Sequence, residues 1–169
     1  MRIPNVSSGC IDISDLKYTK LTEKEKEQYS LHIDDLLVIR SNGSRELVGK
    51  SVLVTNELDS YGYAGYLIRL RFFHKNLKAL YIQYFFNSSY IREQIETPLR
   101  TTVGINNINS TELSSLIIPI PPLNEQKEIV KKIESLFKIC DELEGQINNS
   151  KKSSQTLTQA VLKEAFENE

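Results

Sequence analysis

The sequence predicts an α+β protein in which a β-rich domain with short helices is followed by one long α-helix of the coiled-coil type. Two patterns support this prediction. Before residue 120, short apolar or alternating runs are separated by turn signals such as Asn42-Gly43, which is typical of strands. After Pro122, apolar residues recur at alternating steps of four and three for about four or five heptads. We therefore predict a domain at 1–120 and a long helix at 121–169.

The first half of the domain contains four predicted strands and one short helix. Its apolar runs either alternate with polar residues or are rich in β-branched residues, as strands are. Thr22 and Glu25 have the spacing of a capping box, in which each side chain binds the backbone N–H of the other residue, so a helix is expected at 22–29. The predicted strands lie at 11–13, 36–39, 51–55 and 66–72.

In the second half of the domain the apolar spacing becomes helical. Leu77, Leu80, Tyr81, Tyr84 and Phe85 share one helical face, so we assign these tyrosines to packing. The remaining predicted elements are a helix at 89–96 that ends before Pro98, a loop at 101–107, a short helix opened by a capping box of Asn109 and Glu112, and a strand at 116–118.

The long helix is expected to begin after an N-cap, Asn124, and to reach residue 166, a length of roughly 65 Å at 1.5 Å per residue. Gly145 and the polar stretch 148–154 could fold it back on itself or form a polar layer that fixes register. We favour one continuous helix because the heptad phase is unshifted there. Its apolar heptad seam consists of Ile129, Ile133, Leu136, Cys140, Leu143, Ile147, Leu157 and Val161, with Ser150 and Ser154 at the two seam positions between Ile147 and Leu157. On the heptads alone, a generic dimerisation helix is the simplest interpretation.

Composition and charge exclude several classes of protein. The 169 residues are 40% hydrophobic and carry a formal net charge of −1, which argues against binding nucleic acid by bulk charge alone. Cys10 and Cys140 do not suggest a disulfide framework. No stretch has the pattern of a signal peptide or a membrane span. Together these features predict a cytoplasmic protein.

The residues give no support for catalysis or metal binding. The segment from Gly43 to Ser51 is similar to a phosphate-binding P-loop, but five residues separate Gly43 from Gly49, where the P-loop motif has four. A strand is also expected to follow, where a P-loop is followed by a helix. His32 and His74 are isolated and lack metal-ligand spacing. We therefore expect a protein that is not an enzyme and carries no cofactor of its own.

Several segments of the chain resemble type I restriction–modification specificity subunits. The string PIPPLNEQKEIVKKIESL and the closing QAVLKEAF are similar to the spacer helix of that family. Upstream, IPNVSSGCIDISDLKY, DDLLVIRSNGSRELVGKSVL and TTVGINNI follow in the order of one target recognition domain. The resemblance covers nearly the whole chain. It implies that 1–120 is a target recognition domain and that 121–169 is a spacer helix paired antiparallel with an equivalent helix.

The resemblance also implies a function and a set of partners. In such subunits two recognition domains each read a short half-site of double-stranded DNA, and the antiparallel helices hold them at a fixed separation. The implied partners are adenine methyltransferase (modification) subunits, which bring S-adenosylmethionine, and restriction subunits, which bring ATP and Mg²⁺. The chain itself would be non-catalytic. It would form a homodimer or pair with a second specificity half through the long helix, and a membrane is not among its expected partners.

Within the implied recognition domain, two loops are candidates for DNA contact. Arginine can donate two parallel hydrogen bonds to guanine, and asparagine can bind adenine through a donor and an acceptor. Serine hydroxyls and backbone N–H groups suit phosphate oxygens. The alternatives are a hairpin with ordinary solvated charges and turn asparagines that tolerate left-handed backbone. The candidate residues are Arg40, Ser41, Asn42, Ser44, Arg45 and Lys50 in the first loop and Asn106 and Asn107 in the second.

The chain departs from the family pattern in two respects. It carries one recognition domain and one helix, where such subunits usually carry two of each, and its domain begins late, so an N-terminal portion is expected to be missing. It could be a half-subunit, a fragment or the product of a broken gene. Two other interpretations stay open: a structural or regulatory coiled-coil protein that does not bind DNA, and an inert truncated remnant.

Overall fold

The computed structural model describes residues 1–7, 9–55, 58, 61–74, 76–96, 100–102 and 104–167. The chain divides into two compact units, residues 1–127 and residues 128–169. The first unit is built from short helices and small sheets, and the second is helical. The predicted α+β class with a long C-terminal helix is therefore confirmed.

The described residues form six short strands arranged in two antiparallel sheets. The strand order is β3-β1-β4 in the first sheet and β2-β6-β5 in the second. In chain order the strands are β1 (Leu36–Ile39), β2 (Ser41–Asn42), β3 (Ser51–Leu53), β4 (Leu67–Leu70), β5 (Arg100–Thr102) and β6 (Ile105–Asn107).

Strand β1 lies at the centre of the first sheet. Its residue Leu36 is opposite Leu53 of β3 on one side and Leu70 of β4 on the other. All four side chains of β1 are fully buried, which explains why the strand is a continuous apolar run rather than an alternating one. The strands predicted at 36–39, 51–55 and 66–72 are confirmed, the last two with shorter ends.

Four short helices precede the long one in the described part of the chain. They are α1 (Glu23–Tyr29), α2 (Ala79–Phe86), α3 (Ser89–Glu96) and α4 (Ser110–Ser114). Both predicted capping boxes are formed: the Glu25 N–H donates to Thr22 Oγ1, and the Glu112 N–H donates to Asn109 Oδ1. Helix α3 matches its predicted range, while Pro98 lies outside the described residues.

Three predictions for the residues before 120 were wrong, each for a physical reason. Residues 11–13 form no strand, because Asp12 folds a local turn in which its Oδ1 accepts the Ser14 N–H at 2.8 Å. Residues 116–118 form no strand, because the Gln94 side chain binds both the N–H and the carbonyl of Ile117 where a neighbouring strand would. The segment predicted as a loop at 101–107 instead contributes to β5 and β6, which pair around Gly104, whose φ of +76° suits glycine. Residue 103 lies outside the described residues.

A buried ion pair connects the end of β4 to the turn before β1. Asp35 is 1% exposed, and its two carboxylate oxygens accept hydrogen bonds from Nε and Nη2 of Arg71, both at 2.7 Å. The His32 N–H donates a third hydrogen bond at 2.8 Å. Burial alone would raise the pKa of Asp35, but the hydrogen bonds from Arg71 and His32 and the charge of Arg71 together lower that pKa. The guanidinium of Arg71 is thus occupied within the fold.

The start of the long helix, α5 (Leu123–Glu167), is held by a buried glutamine. Gln126 is fully buried: its Oε1 accepts the Lys78 N–H at 2.9 Å, and its Nε2 donates to the carbonyls of Asn76 and Pro121 at 2.9 and 2.8 Å. The Gln126 N–H donates to the Pro122 carbonyl. The helix has therefore already begun at Leu123, and the prediction of Asn124 as its N-cap was wrong.

Helix α5 is continuous over its 45 residues, a length of about 68 Å. It passes through Gly145 and the polar stretch 148–154 without a break, so the prediction of one continuous helix is confirmed. In the described part of the chain, no helix is long and apolar enough to cross a membrane.

Candidate nucleic-acid interface

The two predicted DNA-contact loops meet in the second sheet. Ser41 of β2 is opposite Asn107 of β6, and Asn42 is opposite Asn106. The Arg40 carbonyl extends this pairing by accepting the Ile108 N–H at 3.0 Å. Segments more than sixty residues apart in sequence therefore form one surface. We call β2, β6 and the tip at 43–45 the reading surface.

The side chains of two asparagines form hydrogen bonds to the backbone of the tip. Asn42 Oδ1 accepts the Ser44 N–H at 2.7 Å, which fixes the turn after β2. Asn106 is buried, and its Nδ2 donates to the Gly43 carbonyl at 3.0 Å. These bonds hold the tip in one conformation, so Gly43, Ser44 and Arg45 are presented as an exposed loop.

The other face of the same strands carries Ser41 and Asn107, because residues paired across an antiparallel sheet point to one side and their neighbours to the other. The Asn107 side-chain oxygen is buried and has no hydrogen-bond partner among the described residues. At the tip, Arg45 is exposed and donates from Nη2 to the Glu96 carbonyl at 3.0 Å. That carbonyl belongs to the last residue of α3, where the helix dipole favours a positive charge.

Lys50 is separated from the tip by a 3₁₀ turn at Arg45–Leu47. The chain returns to β1 here, since the Gly49 N–H donates to the Ile39 carbonyl and the Ile39 N–H donates to the Lys50 carbonyl. Gly49 has a φ of +88°, and a Cβ at this position would lie 2.4 Å from Ile95 Cδ1. Glycine is therefore required for this return, which leaves the Lys50 side chain exposed beside β3.

The predicted coiled-coil residues form an exposed apolar line along α5. Ile129 and Ile133 are half-buried and Cys140 is exposed. Leu136, Leu143, Ile147, Leu157 and Val161 have exposed fractions between 48% and 66%. Long helices with such a line of large apolar side chains usually pair with another helix.

Sequence analysis missed further exposed apolar side chains beside this line. They are Phe137, Ile139, Leu162 and Phe166. Phe137 and Leu162 directly follow the seam residues Leu136 and Val161, so a search for apolar residues next to the heptad positions would have identified them. The structural role of Gln126, which lies in the string PIPPLNEQKEIVKKIESL, was not predicted from the sequence either. In the described residues, no group of three or more His, Cys, Asp or Glu side chains could hold a metal ion.

Comparison with protein families identifies one matching family. Residues 2–151 match the family model of the type I restriction modification DNA specificity domain. The match covers the whole reading surface and the first part of α5.

Individual relatives agree with this match. The chain is 39% identical to the StySPI specificity subunit of Salmonella potsdam over 150 residues, covering 89% of this chain and 32% of that subunit. It is 35% identical to the EcoKI specificity subunit of Escherichia coli strain K12 over 170 residues, covering 100% of this chain and 36% of that subunit. The chain thus spans about a third of the length of these curated relatives.

A solved structure shares the fold. The crystal structure of the HsdS subunit from Thermoanaerobacter tengcongensis matches with a TM-score of 0.70 at 20% sequence identity, covering 96% of this chain and 41% of that one.

Proposed function

The chain belongs to the type I restriction modification DNA specificity domain family, and from this premise we propose that it is a sequence-specific DNA recognition component of a type I restriction–modification system. It reads one half-site of a bipartite target. The observation that carries the proposal is the family match over residues 2–151, which includes the whole reading surface.

The chemistry of the reading surface supports this proposal. Its exposed tip carries a serine and an arginine, and Arg40 lies at its base, half-buried. Arginine can bind two acceptors of guanine at once, and serine can bind phosphate oxygens. Asn107 lies on the opposite face from Asn106 and is half-buried, and an asparagine amide can bind adenine through a donor and an acceptor. In this proposal, Asn42 and Asn106 act by holding the tip in the shape that the DNA meets.

Substitutions in the reading surface test the proposal. We expect Arg40→Ala and Arg45→Ala each to weaken salt-sensitive binding of duplex DNA, by about tenfold or more, because each removes a charged donor. Fluorescence anisotropy with labelled genomic fragments at several salt concentrations measures the effect. Lys24→Ala on α1, an exposed lysine outside the reading surface, is the matched control. Wild-type affinity in both arginine variants would contradict the assignment.

We further propose that the heptad seam of α5 pairs antiparallel with an equivalent helix, either in a second copy of the chain or in another specificity half. The exposed apolar residues along α5 support this, since burying them against a partner would be favourable. A rigid helix pair would then fix the distance between two half-sites, because DNA half-site spacing reflects the geometry of the protein that bridges them.

A charge placed in the seam is expected to abolish this pairing. Leu143→Lys introduces an ammonium where an apolar side chain would be buried, so the variant should sediment as a monomer while the wild-type chain sediments as a dimer. Glu142→Lys, at an exposed position of the same helix beside the seam, should leave the association unchanged. Equal association of the two variants would show that the seam is not the interface.

The remaining expectations complete the proposed role. The chain would be non-catalytic and would position adenine methyltransferase and restriction subunits, which would bring S-adenosylmethionine, ATP and Mg²⁺. It would act in the cytoplasm. Two relatives are named as specificity subunits of type I restriction enzymes, which supports a role in recognition rather than in catalysis.

A further inference from the structure

A cavity of about 460 Å³ opens beside the start of α3, next to the reading surface. Most of the polar residues that line it come from two segments: residues 46–51, which follow the tip, and residues 88–92, which include the first turn of α3. These residues are Glu46, Lys50, Ser51, Ser88, Ser89 and Arg92. Of these six residues, only Lys50 is among the candidates for DNA contact predicted from the sequence.

Two buried donor atoms of residues that line the cavity have no acceptor among the described residues. They are Oγ of Ser51, a residue that is 3% exposed, and Nη2 of Arg92, whose side chain is 27% exposed overall. The Ser51 hydroxyl is not needed for the strand, because Asn87 already binds both the N–H and the carbonyl of Ser51 at 3.1 Å. Buried donors are rarely left without an acceptor, so these two indicate a ligand that accepts hydrogen bonds.

The rest of the Arg92 guanidinium is fixed in place. Its Nη1 donates to the Val48 carbonyl at 2.7 Å, and its Nε donates to Glu96 Oε1 at 3.0 Å. Only Nη2 remains for an acceptor, and Ser51 lines the same cavity with its unpartnered hydroxyl. The site therefore presents donors in a preset arrangement.

The first turn of α3 adds further donors and a favourable field. Ser88 and Ser89 line the cavity at this end of the helix, where the Ser88 hydroxyl donates to the Phe85 carbonyl at 2.6 Å. The further donors are the first N–H groups of the helix, which have no partner within it and carry partial positive charge. Lys50 adds a full positive charge, and the carboxylate of Glu46 opposes it. The arrangement suits a tetrahedral anion with several acceptor oxygens, such as a phosphoryl group.

We propose that this cavity binds a phosphate of the DNA backbone, next to the bases that the reading surface contacts. The proposal rests on the proposed function. Lys50 follows the tip after four residues, and Arg45 of the tip is bonded to the far end of α3, at Glu96. A helix of eight residues is about 12 Å long, which corresponds to roughly three or four base pairs along a duplex. The distance between the two sites is therefore one that a single duplex can span.

Three substitutions in the full chain test the cavity through binding of duplex DNA. Ser51→Ala is expected to lower affinity roughly three- to tenfold for every sequence, because it removes a phosphate donor and no base contact. Lys50→Met should reduce the slope of log Kobs against log salt by about 0.9. Glu46→Gln should raise affinity by roughly two- to fivefold, because it removes the opposing charge. Lys24→Met on α1 is the matched control, and thermal melts verify that each variant folds.

A titration with inorganic phosphate, followed by backbone amide NMR, separates DNA phosphate from free phosphate. Uniform loss of DNA affinity in Ser51→Ala, with the slope change in Lys50→Met, supports the proposal. DNA binding equal to wild type in both variants overturns it while leaving the proposed function intact. If the wild-type chain binds no DNA, the proposed function fails and the assignment to DNA phosphate is overturned with it; saturable shifts at Ser51, Ser88 and Ser89 that vanish in Ser51→Ala would then assign the cavity to free phosphate.

Discussion

Replacing Arg71 by alanine is expected to destabilise the folded chain by about 3–5 kcal/mol. The substitution removes two hydrogen bonds from the carboxylate of Asp35, which is 1% exposed and could not be solvated in their place. The His32 N–H would be its remaining donor among the bonds described above. Urea unfolding of the purified variant measures the loss as a change in the transition midpoint.

A second ion pair provides the matched control. Arg2 Nη2 lies 2.8 Å from Asp15 Oδ2, a distance close to that of the buried pair, but these side chains are 32% and 75% exposed. Asp15→Asn should therefore cost no more than about 1 kcal/mol. If Arg71→Ala and Asp15→Asn cost the same, burial does not set the strength of the Asp35–Arg71 pair.

The same pair predicts how stability depends on pH. Because the pKa of Asp35 is lowered in the folded chain, its contribution is fully present above the unfolded value of 3.8 and is lost as pH falls through the lower folded value. The difference in unfolding free energy between wild type and Asp35→Asn should therefore shrink as the pH is lowered below 3.8. A difference that stays constant into this acidic range would contradict the assignment.

Gln126→Ala is expected to destabilise the first unit by about 2–4 kcal/mol, because it removes three buried hydrogen bonds at once. The N–H of Lys78 and the carbonyls of Asn76 and Pro121 would lose the partner that the side chain now supplies. The position is fully buried, so water would not replace these bonds without a rearrangement. Chemical denaturation again measures the loss.

Another glutamine on the same helix is the control. Gln146 is exposed on α5, and Gln146→Ala should change stability by no more than about 0.5 kcal/mol. Equal effects at the two positions would mean that the bonds of Gln126 do not anchor the helix start. The expected difference would explain why the string PIPPLNEQ, which precedes and opens the long helix, contains this glutamine.

The sequence predicted those elements that a local rule decides. The capping boxes of Thr22 with Glu25 and of Asn109 with Glu112 depend on residues three apart, and both are formed. Strand β1 follows from four consecutive apolar residues. The continuity of α5 follows from an unbroken heptad phase.

Two of the predictions that failed depend on partners far away in sequence. Residues 116–118 have the composition of a strand, but the side chain of Gln94 takes both backbone groups of Ile117. The pairing of β2 with β6 joins two- and three-residue segments that are too short to show any period. Such pairings are set by the tertiary structure.

The candidate site shows the same division. Residue chemistry together with the family resemblance nominated both loops as candidates, but could not show that Asn42 is paired with Asn106 and that both side chains hold the tip. The sequence also could not show that Asn42 and Asn106 share one face of the sheet while Asn107 lies on the other. Only the register of the second sheet makes that distinction.

The central claim is that the chain reads one half-site of a bipartite DNA target. The most direct test is to co-express it with a methyltransferase subunit of its own system and to map methylated adenines across the host genome. We expect a bipartite motif, palindromic if two copies of the chain pair and asymmetric if it pairs with a different specificity half. Methylation without any sequence motif, or no methylation that depends on the chain, would contradict the claim.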